Sequence, residues 1–196
     1  MSNLKTDQNA FTIIELLIAS AVFTVVILGA SVAIVQMGRL YYKGILTSKT
    51  QTATRALIES ISRPIQYDGS DVVKISGPDN KLCVGTDRYT YQLNVQKTTA
   101  NHVIVKDKIS TPSNCGTSPP SSDQKDMLGN GMRITKLDVN QVPSIPKLYN
   151  VEVTVIYGED DDIDLTASPE PVCKSDPSSS QWCSKVTYKT KVFVRR

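Results

Sequence analysis

Glu15 is the residue whose position most demands a chemical explanation. It lies near the start of an otherwise uninterrupted apolar run from Phe11 to Val35. A charge inside a membrane-spanning helix costs roughly 2.5–3.5 kcal/mol on insertion scales and is rarely placed there without a partner or a purpose. The polar segment Met1–Ala10 is only four residues away, which lowers that cost. The second set of reactive side chains is Cys83, Cys115, Cys173 and Cys183, all beyond the apolar run. An even number in an exported domain suggests two disulfides, with three connectivities open. Nearest-neighbour pairing, Cys83 with Cys115 and Cys173 with Cys183, is the expected one. It would staple two polar loops, Pro112–Ser122 and Glu170–Gln181, at about 3 kcal/mol each in the chain-entropy model.

Other chemistry finds little support. No Cys-x-x-Cys pair occurs and His102 is the only histidine, so a zinc site is not expected. Glu159-Asp160-Asp161-Asp162-Ile163-Asp164 places carboxylates at alternate positions, as a calcium loop does. Yet no Gly sits in its middle and no bidentate Glu follows at the required spacing. A solvated acidic turn is the expected reading. No nucleophile motif accompanies the lone histidine, so neither an enzyme nor a cofactor is expected. A net charge of +3 is too weak to indicate nucleic acid by itself.

These residues need elements to hold them. About 20 apolar residues suffice to span a bilayer as a helix, so the run from Phe11 can do so. No proline interrupts Gln36 to Arg63, and Met37, Tyr41, Ile45, Ala53, Leu57 and Ile61 recur at four or eight residues, one helix face. Pro64 is expected to end the helix, because the residue before a proline disfavours helical dihedrals. Gly38 and Gly44 are weak points within it. Beyond Ile65 the chain reads as β-rich, with strands expected at Asp71–Ser76, Arg88–Gln96, His102–Lys108, Met132–Val139, Leu148–Tyr157 and Lys185–Val194. Val151, Val153 and Val155 alternate with Glu152 and Thr154, one buried and one polar face. Lys185, Lys189 and Lys191 suit an edge strand. Length leaves room for one compact domain after the span. The fold class is therefore α+β: a long N-terminal helix, its first half membrane-spanning, packed on a β-rich head.

Ala10-Phe11-Thr12-Ile13-Ile14-Glu15 resembles the cleavage and methylation motif of type IV prepilins and pseudopilins. The family pattern is a short hydrophilic leader, a small residue (usually Gly), then Phe-Thr-Leu-Ile-Glu opening an apolar helix. Here Met1–Ala10 is the leader, and Ala10 stands where Gly is usual. The resemblance implies that a prepilin peptidase cuts between Ala10 and Phe11 and that Phe11 is then N-methylated. It implies that Glu15 pairs with the new Phe11 amine of a neighbouring subunit. It divides the chain into a leader (1–10), a transmembrane and filament-core helix (11–35), its amphipathic continuation (36–63) and a head (64–196). Implied partners are other major and minor pilins, the peptidase, the platform protein of the assembly machine and the membrane. The implied location is the inner membrane, single-pass with the head outside, and later the cell-surface pilus.

Beyond the span, Arg55-Ala56 in the helix expected to end at Arg63, and Arg133-Ile134-Thr135-Lys136-Leu137 and Thr190-Lys191-Val192-Phe193-Val194-Arg195 in the head, resemble the PilW/PulJ-like branch of minor pilins. That implies a low-copy subunit near the filament tip, with loops and Trp182 available for contacts. Packing of Trp182 against the Cys173–Cys183 bridge is its structural alternative. A type II secretion pseudopilin, a competence pilus subunit, or a membrane-anchored binding domain that never polymerises stay open as alternatives. An ordinary signal peptide, cleaved after Ser31-Val32-Ala33, is disfavoured because the run exceeds a signal core of 7–15 residues.

Overall fold

The computed structural model describes residues 11–68, 72–117, 119, 123–176 and 179–195. Ala10 and Asp71 lie outside these residues, as do parts of both polar loops. One helix, α1, runs from Ile13 to Asp68. The chain divides into two compact units, Met1–Tyr41 and Tyr42–Arg196. In the first unit every described residue except Gly38 is exposed, including Phe11 at 84% and Phe23 at 65%. Such a helix satisfies its own backbone but buries none of its apolar side chains, which is the condition of a segment made for an apolar surrounding.

In the second unit α1 does bury a face. Thr50, Thr54, Leu57, Ile58, Ile61 and Ile65 are buried, at helical spacing. The expected stripe holds for Leu57 and Ile61, with Ala53 partly buried against the core. It fails at its start, because Met37 and Tyr41 are 73% and 67% exposed. Two threonines take the apolar places instead. Their buried hydroxyls donate to the carbonyls one turn back, Thr50 to Leu46 at 2.8 Å and Thr54 to Thr50 at 2.6 Å, so no polar group is stranded.

The helix also passes through Pro64, where it was expected to stop. A proline inside a helix removes the N–H that the carbonyl four residues earlier would accept. That carbonyl, of Ser60, accepts instead from the Tyr89 hydroxyl at 2.6 Å, while the Ser60 hydroxyl lies 3.0 Å from the same oxygen. One turn after Ile61, Ile65 is fully buried, and the Gln66 carbonyl accepts from Arg195 N–H at 3.1 Å. Burial of an isoleucine is worth about 1.5–3 kcal/mol, enough with these bonds to offset the proline. Tyr89→Phe should therefore lower stability by about 1–3 kcal/mol in urea unfolding. Adding Pro64→Ala should recover part of the loss, because alanine at position 64 supplies the missing donor.

The head holds two main antiparallel sheets. The first orders β1 (Val72–Ile75), β2 (Asn80–Val84), β3 (Asp87–Tyr91), β4 (Ile104–Lys108) and β5 (Lys125–Asp126) as a meander. The second sets β7 (Leu148–Tyr157) between β6 (Met132–Gln141) and β10 (Ser184–Phe193), and β8 (Ile163–Asp164) pairs with β9 (Val172–Cys173). β10 is an edge strand, with Lys189 and Lys191 exposed.

Several readings change, and the two-residue strands β5, β8 and β9 were not expected. The strand β2 is new; Leu82, Cys83 and Val84 are consecutive and all buried, so no alternation marks it. Leu82 and Val84 join the main core while Cys83 joins a second cluster with Ile109 and Cys115. The strand expected over Arg88–Gln96 stops at Tyr91. Asn94 there takes φ 62°, a left-handed conformation that asparagine tolerates. The segment leaves the first sheet, from Gln92 N–H on the Val103 carbonyl, and reaches β6, where Asn94 N–H meets the Ile134 carbonyl at 2.8 Å. Finally, the face of β7 opposite Val151, Val153 and Val155 is not solvated throughout. Thr154 and Ile156 are fully buried, and Ile156 packs with Ile163 and Cys183.

Candidate functional site

The N-terminus of α1 is built as a reciprocal cap. Glu15 N–H donates to Thr12 Oγ1 at 3.3 Å, while Glu15 Oε2 accepts from Thr12 N–H at 3.2 Å and from Thr12 Oγ1 at 3.1 Å. This is a capping box, Thr at the cap and Glu three residues on, which satisfies orphan donors at a helix start. A carboxylate in the first turn also faces the positive end of the helix dipole. The spacing Thr12-x-x-Glu15 before an apolar run is itself a capping signature in the sequence. Phe11, the residue expected to become the mature terminus, lies next to this cap and is exposed.

The head's cysteines are bonded Cys83–Cys115 and Cys173–Cys183. Each bridge sits in a small apolar cluster rather than on a projecting loop. Cys83, Cys115, Ile109 and Val73 form one, and Cys183, Cys173, Ile156 and Ile163 the other. Charges pin the second segment further. Glu170 receives Lys136 at 3.3 Å and Lys185 at 3.2 Å, so the start of this segment is held against the sheet.

The acidic turn at Glu159–Asp164 is largely engaged. Asp160 Oδ1 accepts from buried Arg133 at 2.6 Å, and Glu159 accepts from Gln96 at 3.1 Å. Asp164 Oδ1 accepts from the Thr166 N–H and hydroxyl, bonds that hold its carboxyl below the ordinary range. Among the described residues no three His, Cys, Asp or Glu side chains gather as metal ligands would. His102 is bonded to Asp126 at 2.8 Å, and Asp126 also meets Lys97 at 3.2 Å. Trp182 is 43% exposed and lies beside Tyr42 of α1 with ring centroids 5.8 Å apart.

The prokaryotic N-terminal methylation motif matches residues 5–31. No curated protein and no solved structure matches the chain. The matched stretch contains the capped helix start and most of the exposed apolar helix, and that helix is long and apolar enough to cross a membrane. The motif, with a long N-terminal helix and a β-rich, disulfide-bonded head, points to a type IV pilin- or pseudopilin-like processed subunit, a structural component rather than an enzyme.

Proposed function

We propose that the chain is a minor, low-copy subunit of a type IV pilus-like filament, placed near the tip. A prepilin peptidase removes Met1–Ala10, Phe11 is methylated, and the head faces outward from a single inner-membrane span until assembly with other major and minor pilins through the platform protein. The observation that carries this reading is the methylation motif at residues 5–31 on a helix whose residues 11–35 are exposed and, Glu15 apart, form an apolar run. Resemblance of Arg133–Leu137 and Thr190–Arg195 to the PilW/PulJ-like branch supports the minor role. The bridged cysteines lend no support to it, since each pair packs in an apolar cluster within the head.

Intact-mass analysis of membrane-extracted protein tests the processing. Loss of Met1–Ala10 plus one added methyl group is expected. A mature terminus at Ile34 would replace this reading with a signal peptide. Immunogold labelling of the head on purified filaments tests the position: sparse terminal labelling is expected, and dense labelling along the shaft would make the subunit a major one.

A further inference from the structure

Where the start of the second unit's helical segment meets the 157–182 region, the head carries a cleft of about 560 Å³ lined in part by Tyr42, Lys49, Tyr157, Glu159, Asp162 and Trp182. Its size is that of a ligand pocket. Two of its aromatic walls are open to solvent: Trp182 is 43% and Tyr42 55% exposed, with their rings tilted by 50°. The lining sets two carboxylates, Glu159 and Asp162, against one ammonium, Lys49. Exposed Asp161 lies on the same turn, while Asp160 is already taken by Arg133. The local balance is therefore negative on a chain whose net charge is +3.

We propose that this cleft receives an arginine side chain from another polypeptide. A guanidinium is the group that suits both features at once. Its planar, weakly hydrated face stacks on indole and phenol rings, and its fork of donors meets carboxylates. Asp162 is the anchor for the charge. Its backbone, not its side chain, carries the local turn, through N–H to the Glu159 carbonyl and C=O to Lys174 N–H. Glu159 is partly committed to Gln96. Lys49 opposes the incoming charge and limits the affinity.

Trp182 is the chain's one tryptophan, so its fluorescence reports on this cleft alone. Full-length protein in a non-ionic detergent would be titrated with N-acetylarginine amide and, separately, with its uncharged isostere N-acetylcitrulline amide. A saturable change with the arginine compound and none with the citrulline compound is expected. Asp162→Asn should weaken binding about fivefold, the size of one exposed charge pair, and Lys49→Gln should tighten it by a similar factor. No saturable change with the arginine compound, an equal response to citrulline, or an unchanged affinity in both variants would each overturn the proposal. The measurement needs no filament, so it stands or fails apart from the assembly reading.

Discussion

Replacing Glu15 with alanine should leave membrane insertion and the head intact and remove the protein from filaments. Two roles of the carboxylate must be separated. In the lone subunit it caps its own helix through Thr12, and loss of a cap costs about 1 kcal/mol. In the assembly proposed above it would also neutralise the Phe11 amine of a neighbour in an apolar core. Leaving such a charge unpaired costs about 3–5 kcal/mol, equivalent to a hundredfold or greater drop in incorporation. Glu15→Gln distinguishes the two, because glutamine also completes a capping box but carries no charge. If pairing dominates, Gln fails as Ala does. The measurement is the amount of each variant in sheared filament fractions relative to the membrane pool. Recovery of incorporation by Gln would assign Glu15 to capping alone, and wild-type incorporation of the alanine variant would remove it from assembly.

The division between what the sequence displays and what it hides follows the range of the interactions. The apolar run, its embedded carboxylate and the motif around Phe11 are local, so they are readable residue by residue. The valine alternation in β7 and the lysines of β10 are equally local. What escapes is set by contacts across long separations. Pro64 reads as a helix stop because nothing nearby announces that Tyr89, 25 residues on, will take the Ser60 carbonyl. β2 is hidden because both its faces are covered by different clusters, which erases the alternation. The strand expected through Gln96 breaks at Asn94 to reach β6, a decision made by Ile134 and Met132. The capping box at Thr12–Glu15 is different in kind: its spacing is local and plain, but Glu15 serves both as a cap and as a charge in an apolar run.

The same reasoning locates the head's most sensitive charge. Arg88 and Asp107 are 19 residues apart, and nothing in either segment marks them as a pair. They face each other across β3 and β4, with only 2% and 3% of their side chains exposed. Arg88 Nε donates to Asp107 Oδ1 at 2.9 Å, its Nη2 donates to Oδ2, and Nη2 also reaches the Pro119 carbonyl at 3.0 Å. Cys83 stands beside Arg88 in the next strand, so the pair underlies the Cys83–Cys115 loop. The hydrogen bonds to Asp107 raise the guanidinium's pKa, with burial opposing them. A raised pKa means that the guanidinium keeps its proton at every pH short of strong base, so its side of the pair is present below its unfolded value for as long as Asp107 is ionised.

Asp107→Ala should therefore cost about 3–5 kcal/mol, since arginine cannot shed its proton to escape burial. For a domain with a total stability of about 5–15 kcal/mol, that loss is a large fraction. Lys136→Ala, which breaks a surface network with Glu152 and Glu170, should cost far less by comparison, because water screens exposed pairs. The replacement of both partners, Arg88→Met with Asp107→Leu, should recover most of what Asp107→Ala loses, because no charge is then stranded. Urea midpoints at pH 7 with the disulfides intact would check the series. A loss for Asp107→Ala no larger than that of Lys136→Ala would mean that the guanidinium finds water or another acceptor, and that the pair is not what holds β3, β4 and the bridged loop together.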